Sequence, residues 1–210
     1  MKQALIFDMD GTLFQTNLIL EPALIATFDV LRKNNLWDED TPIDTYREII
    51  GVPLPVVWKT LCPSHTLLIR EKSNEIFQEK LIELIKAKKG SLYPNAEFVL
   101  ERLSIDNSLY IASNGQEAYL QAIVDTYDLN RFIKKVYSIQ SISSGQKSDL
   151  VKKVMNENYI TGGAVIGDRL SDIMAAKDNK LTAIGVNFDF AQAEELKQAD
   201  KVIDHLIELL

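Results

Sequence analysis

The fold of this 210-residue chain depends on one stretch near its start, Leu5-Ile6-Phe7-Asp8-Met9-Asp10-Gly11-Thr12-Leu13-Phe14. Its three leading apolar residues are typical of a central parallel strand that is covered on both faces. Asp8 and Asp10 follow where the chain leaves the sheet, which is the usual position of a site in open α/β folds. Residues two apart in an extended segment point to the same side, so both carboxylates can face one crevice. The alternative is an ordinary capped turn, because Asp and Gly are common turn residues.

The composition is typical of a soluble globular protein, with 46% hydrophobic and 25% charged residues. The net charge of −7 gives no reason to expect binding to nucleic acid or to an anionic membrane. Cys62 is the only cysteine, which excludes an internal disulfide and a thiolate zinc cluster, and we expect it to be a buried apolar residue. Asp8 and Asp10 interrupt the first apolar run, so no signal peptide is predicted, and no run is long enough to span a bilayer. We expect a cytoplasmic protein, either a monomer or a dimer.

Beyond the first strand, the apolar residues change to a helical period. Apolar residues three and four positions apart predict helices around Leu20 to Leu31, Tyr46 to Ile50 and Trp58 to Leu61. They also predict a fourth helix, which follows Ser64 and runs to Lys88. Ser64 is the predicted N-cap of the last and longest of these helices. On either side of this all-helical block, strands alternate with helices. The change predicts an α/β domain over residues 1–16 and 90–210, and a small helical domain over residues 17–89.

The second half of the chain returns to the alternating pattern. Short apolar runs predict strands over residues 108–112, 135–139, 164–166, 182–186 and 201–203. A helix is predicted from Glu117 to about Tyr127, and Ser148 is the predicted N-cap of another helix that follows a polar loop ending at Lys147. Strands followed by helices imply right-handed crossovers and a parallel sheet. The predicted fold class is therefore α/β, with a parallel-sheet core and an all-helical insertion after the first strand.

Four polar clusters stand at the C-terminal ends of predicted strands or in adjacent loops. They are Asp8 with Asp10, Ser113 with Asn114, Lys147, and Asp168 with Asp172. Each has an ordinary explanation when taken alone, as a turn, a solvated lysine or a helix cap. Two acids as close as Asp8 and Asp10 repel each other unless a cation lies nearby. Because all four clusters fall at the same edge of one sheet, together they favour a functional site.

These clusters, in this order, resemble the motifs of the haloacid dehalogenase superfamily of hydrolases, in the branch with a helical cap inserted after the first motif. Asp8-Met9-Asp10-Gly11-Thr12-Leu13 is similar to the first motif and Ser113-Asn114 to the second. Lys147 stands at the third, and Gly167-Asp168-Arg169-Leu170-Ser171-Asp172 is similar to the fourth. The resemblance covers essentially the whole chain and implies a Rossmann-like core with a helical cap. Among the members, those like phosphoglycolate phosphatase are the most similar.

The resemblance implies phosphoryl transfer in which two carboxylates have different roles. Asp8 is the implied nucleophile, which forms an aspartyl-phosphate and splits one difficult step into two. Asp10 is implied to protonate the leaving alcohol and then to deprotonate the attacking water. Lys147 would offset negative charge on the phosphoryl group and on Asp8.

The remaining motif residues are implied to bind phosphate and metal. Ser113 and the backbone amide of Asn114 would hold phosphoryl oxygens. Mg²⁺ is the implied cofactor, with the carboxylates of Asp8 and Asp168 and the backbone carbonyl of Asp10 as its ligands. Asp172 is expected to orient Lys147 or to act through a water. Thr12 is either an orienter of Asp10 or a turn hydroxyl that is already satisfied.

The residue at position 10 distinguishes best between the reactions of this superfamily. Dehalogenating members lack an acid at this position, and cation-pumping members carry threonine, so Asp10 indicates a phosphatase or a phosphomutase. We expect a Mg²⁺-dependent phosphatase whose substrate is a small phosphorylated metabolite. The alternatives are a phosphomutase of the β-phosphoglucomutase type and a metabolite-binding protein without turnover. Intact acids and Lys147 speak against the binding protein.

Other positions are candidate sources of specificity or depart from the motifs. The substrate-facing region is expected between Arg47 and Trp58, where a Gly-Val-Pro-Leu-Pro run forms either a loop of the cap or a linker. Ser148 stands where many members have proline, and residues 187–190 replace a glycine-containing loop. His65 and His205 match no catalytic position, and both are expected to be structural or surface residues.

Overall fold

The computed structural model of the protein describes residues 3–49 and 54–210. Within these ranges the strands are β1 (Gln3–Phe7), β2 (Asn107–Ser113), β3 (Ile133–Ser138), β4 (Gly163–Gly167), β5 (Thr182–Val186) and β6 (Lys201–Ile203). The helices are α1 (Asn17–Lys33), α2 (Ile43–Glu48), α3 (Leu54–Leu61), α4 (Leu67–Lys86), α5 (Ala96–Asp106), α6 (Glu117–Thr126), α7 (Lys147–Glu157), α8 (Leu170–Asp178) and α9 (Ala193–Leu196). No helix within the described residues is both long enough and apolar enough to cross a bilayer.

The chain divides into two compact units. The first, here called the sheet unit, comprises Met1–Thr16 and Gly90–Leu210. The second, called the helical unit, is Asn17–Lys89 and contains α1 to α4. A role of the helical unit as a cap over a site remains a prediction.

The sheet unit contains a six-stranded sheet with the strand order β3-β2-β1-β4-β5-β6. All neighbouring strands are parallel, which confirms the predicted α/β fold class. β1 is central, and its Phe7 pairs with Ile111 of β2 on one side and with Ile166 of β4 on the other. The strand order reverses its direction at β1, and ligands bind at such a switch point in open α/β sheets.

Apolar side chains are buried on both faces of this sheet. On one face, Ala4 and Ile6 of β1 belong to a buried cluster that includes residues of α7 and α8. On the other face, Phe7 and Ile111 are also fully shielded from water, because side chains alternate between faces along a strand. Burial of each such large side chain contributes about 1.5–3 kcal/mol. The residues before Asp8 therefore fix the strand and the place where its carboxylate emerges.

Two segments of the sheet unit lie side by side where the chain leaves this unit and where it returns. The amide of Gln15 donates to the carbonyl of Ser91 at 2.9 Å, and the amide of Tyr93 donates to the carbonyl of Leu13 at 2.9 Å. Gly90 makes this approach possible, because a Cβ there would lie 2.3 Å from the ring of Phe14. The pairing ties the first motif to the start of the second half of the chain.

In the helical unit, an aromatic core holds the helices together. The ring of Trp58 in α3 packs 5.8 Å from that of Phe77 in α4 and 6.3 Å from that of Phe28 in α1. Cys62 is buried among apolar residues, as its sequence context predicted, and burial raises the pKa of its thiol to about 11. Its inertness follows, because the thiolate is the reactive form.

The predicted N-cap of the longest helix is wrong. α4 begins at Leu67, and its N-cap is Thr66, whose hydroxyl accepts from the amide of Ile69 at 3.4 Å. Ser64 lies in the turn before it. Elsewhere in this unit, α2 ends at Glu48, and of the Gly-Val-Pro-Leu-Pro run at 51–55 only Leu54 and Pro55, which begin α3, lie within the described residues.

Candidate active site

A tight turn after β1 carries the first motif to the edge of the sheet. The amide of Asp8 donates to the carbonyl of Ile166 at 2.8 Å, which holds the end of β1 against β4. Gly11 has a φ of +72°, in the left-handed region that favours glycine. A Cβ at Gly11 would also lie 2.6 Å from Oδ2 of Asp168. The glycine thus lets the turn close onto the second pair of acids.

Lys147 lies between two of the predicted acids. Its ammonium nitrogen is 2.7 Å from Oδ1 of Asp8 and 2.5 Å from Oδ1 of Asp172. All three residues are buried, with relative exposures of 5%, 7% and 1%. A buried lysine with two carboxylates in contact is the local positive charge that the pair of acids at the end of β1 requires.

Lys147 is placed differently from the prediction, because it belongs to a helix and not to the loop before it. α7 begins at Lys147 itself, and Gln146 is its N-cap residue. The hydroxyl of Ser148 makes no cap and donates instead to Oδ2 of Asp178 at 2.6 Å. The predicted cap at Ser148 is therefore wrong, since a residue of α8 takes up its hydrogen-bonding capacity. The first turn of α7 presents the lysine to the sheet edge.

The fourth motif places two further acids beside this lysine. Asp168 directly follows β4, and Asp172 lies in the first turn of α8, as predicted. Oδ2 of Asp172 accepts from the amide of Arg169 at 3.1 Å, while its Oδ1 contacts Lys147. Asp172 therefore contacts both the lysine and the start of α8, and its role in orienting the lysine stays a prediction. The hydroxyl of Thr12 donates to Oδ1 of Asp168 at 3.2 Å, so of the two alternatives for Thr12 the contact to Asp10 does not form and the hydroxyl is satisfied elsewhere.

Three of these acids fit a divalent cation. Asp8, Asp168 and Asp172 each offer one carboxylate oxygen, and these oxygens lie within 4.8 Å of one another. Mg²⁺ prefers such hard oxygen ligands and usually keeps several waters. Because both oxygens of Asp172 already have partners in the protein, Asp8 and Asp168 are the better candidates for direct ligands. The backbone carbonyl of Asp10 as a further ligand remains a prediction.

Two hydroxyl groups that sequence reasoning missed bind Asp10. Tyr119 Oη and Thr16 Oγ1 each donate to Oδ1 of Asp10 at 2.5 Å. Tyr119 lies in the first turn of α6, five residues after the second motif ends with Asn114 at the same sheet edge. That position is the one signal in the sequence that could have pointed to it.

Burial and neighbouring charges shift the pKa values of these groups. Burial and the charge of Asp8 raise the pKa of Asp10 to about 6, although the two hydroxyl groups act against this rise. Burial and the same charge also raise the pKa of Asp168. Burial alone would lower the pKa of Lys147, but the charges of Asp172 and Asp8 outweigh it and raise that pKa above its ordinary value. Burial and the charge of Asp10 raise the pKa of Tyr119, so its hydroxyl remains a donor.

The second motif lies on the neighbouring strand. Ser113 is the last residue of β2 and is 1% exposed, and its Oγ accepts from the amide of Gly115 at 3.2 Å. Asn114 follows it at the surface. Since Phe7 pairs with Ile111, Ser113 lies beside the residues that follow β1. Phosphate binding by Ser113 and Asn114 remains a prediction.

The loop after β5, where the motif pattern departs, is bound to the segment that follows Leu92. The hydroxyl of Tyr93 donates to Oδ2 of Asp189 at 2.6 Å, and its ring stacks on Phe188 with 4.4 Å between centroids. Sequence reasoning did not identify this contact, because the residues are about a hundred positions apart. The contact holds residues 187–190 in one conformation at the same side of the sheet.

Within the helical unit, Arg47 and His65 both have structural partners. Arg47 Nε and Nη2 donate to the two carboxylate oxygens of Glu21 at 2.7 and 2.9 Å. His65 Nε2 lies 2.7 Å from the carbonyl of Leu36. Both side chains are therefore engaged in contacts within the helical unit, and the expectation that His65 is a structural residue stays a prediction. His205, in the sheet unit, is exposed.

Comparison with known proteins gives a family for the chain. A family model described as haloacid dehalogenase-like hydrolase matches residues 5–186, which include all four motifs. The phosphoglycolate phosphatase of Psychrobacter arcticus is 23% identical over 210 residues, which cover 94% of this chain and 88% of that protein. The resemblance inferred from the motifs is thereby confirmed.

Solved structures give the same fold. CbbY from Rhodobacter sphaeroides, in complex with phosphate, matches with a TM-score of 0.82 and 19% identity, covering 100% of this chain and 96% of that one. A mutant of CbbY in complex with xylulose-(1,5)bisphosphate matches over the same shares, with a TM-score of 0.81 and 17% identity. At such identities the likeness concerns the fold alone.

Proposed function

The chain belongs to the haloacid dehalogenase-like hydrolases, and we propose that it is a Mg²⁺-dependent phosphatase that hydrolyses small phosphorylated metabolites. One observation carries this proposal: the buried Lys147 is in contact with both Asp8 and Asp172 at the end of the central strand. A phosphate monoester is an anion that repels an anionic nucleophile. A fixed cation beside the nucleophile lowers that repulsion, and a binding protein without turnover has no need of a nucleophile paired with an acid.

In the proposed reaction, Asp8 is the nucleophile. A carboxylate oxygen of Asp8 attacks phosphorus, the bond from phosphorus to the leaving oxygen breaks, and an aspartyl-phosphate forms. In the second step, a water attacks phosphorus and the bond to Asp8 breaks, which releases inorganic phosphate. The backbone hydrogen bond from Asp8 to Ile166 holds the attacking residue at a fixed place on the sheet edge.

Asp10 is the proposed acid and base of these two steps. It gives its proton to the leaving oxygen, and the resulting carboxylate then takes a proton from the attacking water. A pKa of about 6 suits both roles, since the group exists in both protonation states near neutral pH. Ser113, the amide of Asn114 and Lys147 would hold the oxygens of the phosphoryl group.

Asp8 and Asp168 would hold Mg²⁺, with the carbonyl of Asp10 as a third protein ligand. The ion, when bound, would neutralise charge on the phosphoryl oxygens. Thr12 supports Asp168 through its hydrogen bond, and Asp172 keeps Lys147 in place. Each of these contacts orders a side chain before the substrate arrives.

The named relatives suggest which substrates to test first. One relative is named for phosphoglycolate, and one structure of similar fold holds a sugar bisphosphate. Both compounds are small phosphate monoesters, and this is the class proposed here. The helical unit, and within it the region from Arg47 to Trp58, stays the predicted source of specificity.

The first experiment measures hydrolysis of p-nitrophenyl phosphate with Mg²⁺ and after chelation. We expect turnover by the wild type that needs Mg²⁺ and is lost in Asp8→Asn. Asp149→Asn is the matched control, because Asp149 is an acid in the first turn of α7 outside the cluster. Absence of wild-type turnover, or full turnover by Asp8→Asn, would contradict the proposal.

A second experiment separates hydrolysis from transfer. The wild type is incubated with phosphoglycolate, with xylulose bisphosphate and with hexose phosphates, the last with and without a hexose bisphosphate primer. Release of inorganic phosphate supports a phosphatase. Isomerised hexose phosphate without phosphate release would support a phosphomutase instead.

A further inference from the structure

The proposed function leaves unexplained why two hydroxyl groups bind one oxygen of Asp10. Tyr119 and Thr16 both lie 2.5 Å from Oδ1, and they are only 4% and 7% exposed. Contacts this short are typical of hydroxyl groups that donate to a carboxylate. Oδ1 of the half-buried Asp10 therefore accepts from two strong donors whose own side chains are buried.

Neither hydroxyl has a better acceptor among the described residues. A tyrosine hydroxyl has a single proton to donate. Its other close neighbour, Thr16 Oγ1, is 3.5 Å away, a full ångström further than Asp10. The carbonyl of Phe14 lies 3.4 Å from the Thr16 hydroxyl and is a poor alternative to Asp10 at 2.5 Å. Both protons thus point at the same carboxylate oxygen.

This geometry distinguishes the two oxygens of Asp10. A proton on Oδ1 would face two hydroxyl protons, whereas a proton on Oδ2 leaves both hydrogen bonds intact. Rotation of the carboxyl group away from the two hydroxyl groups would likewise break both hydrogen bonds. The carboxyl is therefore held in one orientation.

We infer that Tyr119 is a positioning residue that, together with Thr16, occupies Oδ1 of Asp10 and leaves Oδ2 to exchange protons with the substrate and with water. The inference rests on the proposed function, because it concerns the acid of that reaction. It assigns a role to α6, which supplies none of the four motifs. Tyr119 itself moves no proton and touches no reacting atom.

The test compares two esters of the same shape whose leaving groups differ in basicity. Phenol has a pKa of about 10, like the tyrosine side chain, so phenyl phosphate needs a proton for its leaving oxygen. Nitrophenolate is a much weaker base and leaves without one. General acid catalysis typically contributes 10²–10⁴-fold, so partial loss of orientation in Tyr119→Phe should lower kcat/KM for phenyl phosphate about tenfold more than for p-nitrophenyl phosphate.

Tyr137→Phe is the matched control. The hydroxyl of Tyr137 also has partners, Glu157 and Asn158, but these lie on α7 and just beyond its end, away from the motifs. A merely structural effect of losing a tyrosine hydroxyl would appear in this variant too. We expect its ratio of kcat/KM values for the two esters to equal that of the wild type. Circular dichroism and thermal unfolding verify that each variant is folded.

A double-mutant cycle tests whether Tyr119 acts through Asp10. In the Asp10→Asn background, Tyr119→Phe should change kcat/KM by less than about twofold for either ester, because the group it orients is gone. Thr16→Val removes the other donor and should repeat the selective loss on phenyl phosphate. This variant keeps the inference testable if Tyr119→Phe does not fold.

Failure of the inference and failure of the proposed function give different results. If the wild type hydrolyses both esters and the folded Tyr119→Phe and Thr16→Val lose activity equally on both, or on neither, the inference is wrong and the phosphatase stands. A full effect of Tyr119→Phe in the Asp10→Asn background also overturns it. If the wild type hydrolyses neither ester with Mg²⁺, both are wrong.

Discussion

The ammonium nitrogen of Lys147 lies 2.5 Å from Oδ1 of Asp172, and their side chains are only 2% and 1% exposed. A pair in this environment is costly to break, because the charge that remains has lost both its partner and its water. Lys147 also contacts Asp8, so its removal would leave two buried carboxylates without a cation.

We therefore predict that Lys147→Met lowers the free energy of unfolding of the metal-free protein by about 3–5 kcal/mol. Urea unfolding followed by circular dichroism, in buffer with a chelator, measures this change. Lys72→Met is the control, since Lys72 pairs with Glu75 at the surface and should leave the unfolding midpoint unchanged. An unchanged midpoint in Lys147→Met would contradict the prediction.

A methyl group at Gly167 should displace Asp172. A Cβ at Gly167 would lie 2.2 Å from Cγ of Asp172, which is buried and has no room to retreat. We expect Gly167→Ala to cost about 1–3 kcal/mol of stability from this overlap. Because Asp172 is predicted to orient Lys147, kcat should also fall about a hundredfold.

Gly162→Ala provides the comparison for that variant. Gly162 lies one residue before β4, and no atom lies within 4 Å of the place where its Cβ would be. Its stability and its hydrolysis of p-nitrophenyl phosphate should match those of the wild type. Equal losses in both variants would show that the space beside Asp172 has no special importance.

The raised pKa of Asp10 predicts a pH dependence of stability. Its pKa is about 6 in the folded protein and 3.8 ordinarily, so the folded state binds more protons between these values. Stability that comes from the neutral acid is therefore present at low pH and is lost as pH rises through that window. Asparagine does not ionise, so Asp10→Asn lacks this loss. The free energy of unfolding of the variant, relative to that of the wild type, should therefore increase by about 1–3 kcal/mol from pH 4 to pH 7.

Urea unfolding of both proteins in chelator, at several pH values, measures this difference. Taking the difference between the two proteins cancels the contributions of titrating groups that do not interact with Asp10. A difference that is flat with pH, or that decreases as pH rises, would contradict the raised pKa of Asp10.

In the helical unit, we expect the stability of the core to depend strongly on Trp58. It is 2% exposed, packs against Phe28 and Phe77, and donates from Nε1 to Asn74 at 3.1 Å. Trp58→Ala should destabilise this unit by about 3–5 kcal/mol. Val56→Ala, on the exposed face of the same helix, should change little. Hydrogen exchange of α1 and α4 amides reports on this unit separately, and unchanged exchange in Trp58→Ala would contradict the prediction.

Sequence patterns predicted those features that depend on neighbours along the chain. β5 and β6 have the predicted bounds, because apolar strand residues are bounded there by turn residues. The placement of Asp172 in the first turn of a helix also followed from local spacing. The parallel order of the strands followed from the handedness of crossovers.

Predictions failed where distant residues decide which hydrogen bond forms. Ser148 looked like a cap, but its hydroxyl binds Asp178, which is thirty residues away. Thr12 is two residues from Asp10, yet the turn carries its hydroxyl to Asp168. Tyr119 donates to Asp10 although the two residues are 109 positions apart, and a local sequence pattern cannot predict a contact between such distant residues. The charged residues of the site were thus predictable, and the hydroxyl groups that bind them were not.

The bridge between Phe14 and Leu92 has a consequence for how this chain could have evolved. Adjacent strands are about 4.8 Å apart, so any segment inserted at this point need only bring its two ends to that separation. The entropic cost of closing such an insert grows slowly, by about 0.6 kcal/mol for each doubling of its length. The carboxylates and Lys147 all lie in the remaining chain. A change in the length of the insert should therefore cost little at this point, and it leaves the residues of the sheet edge in place.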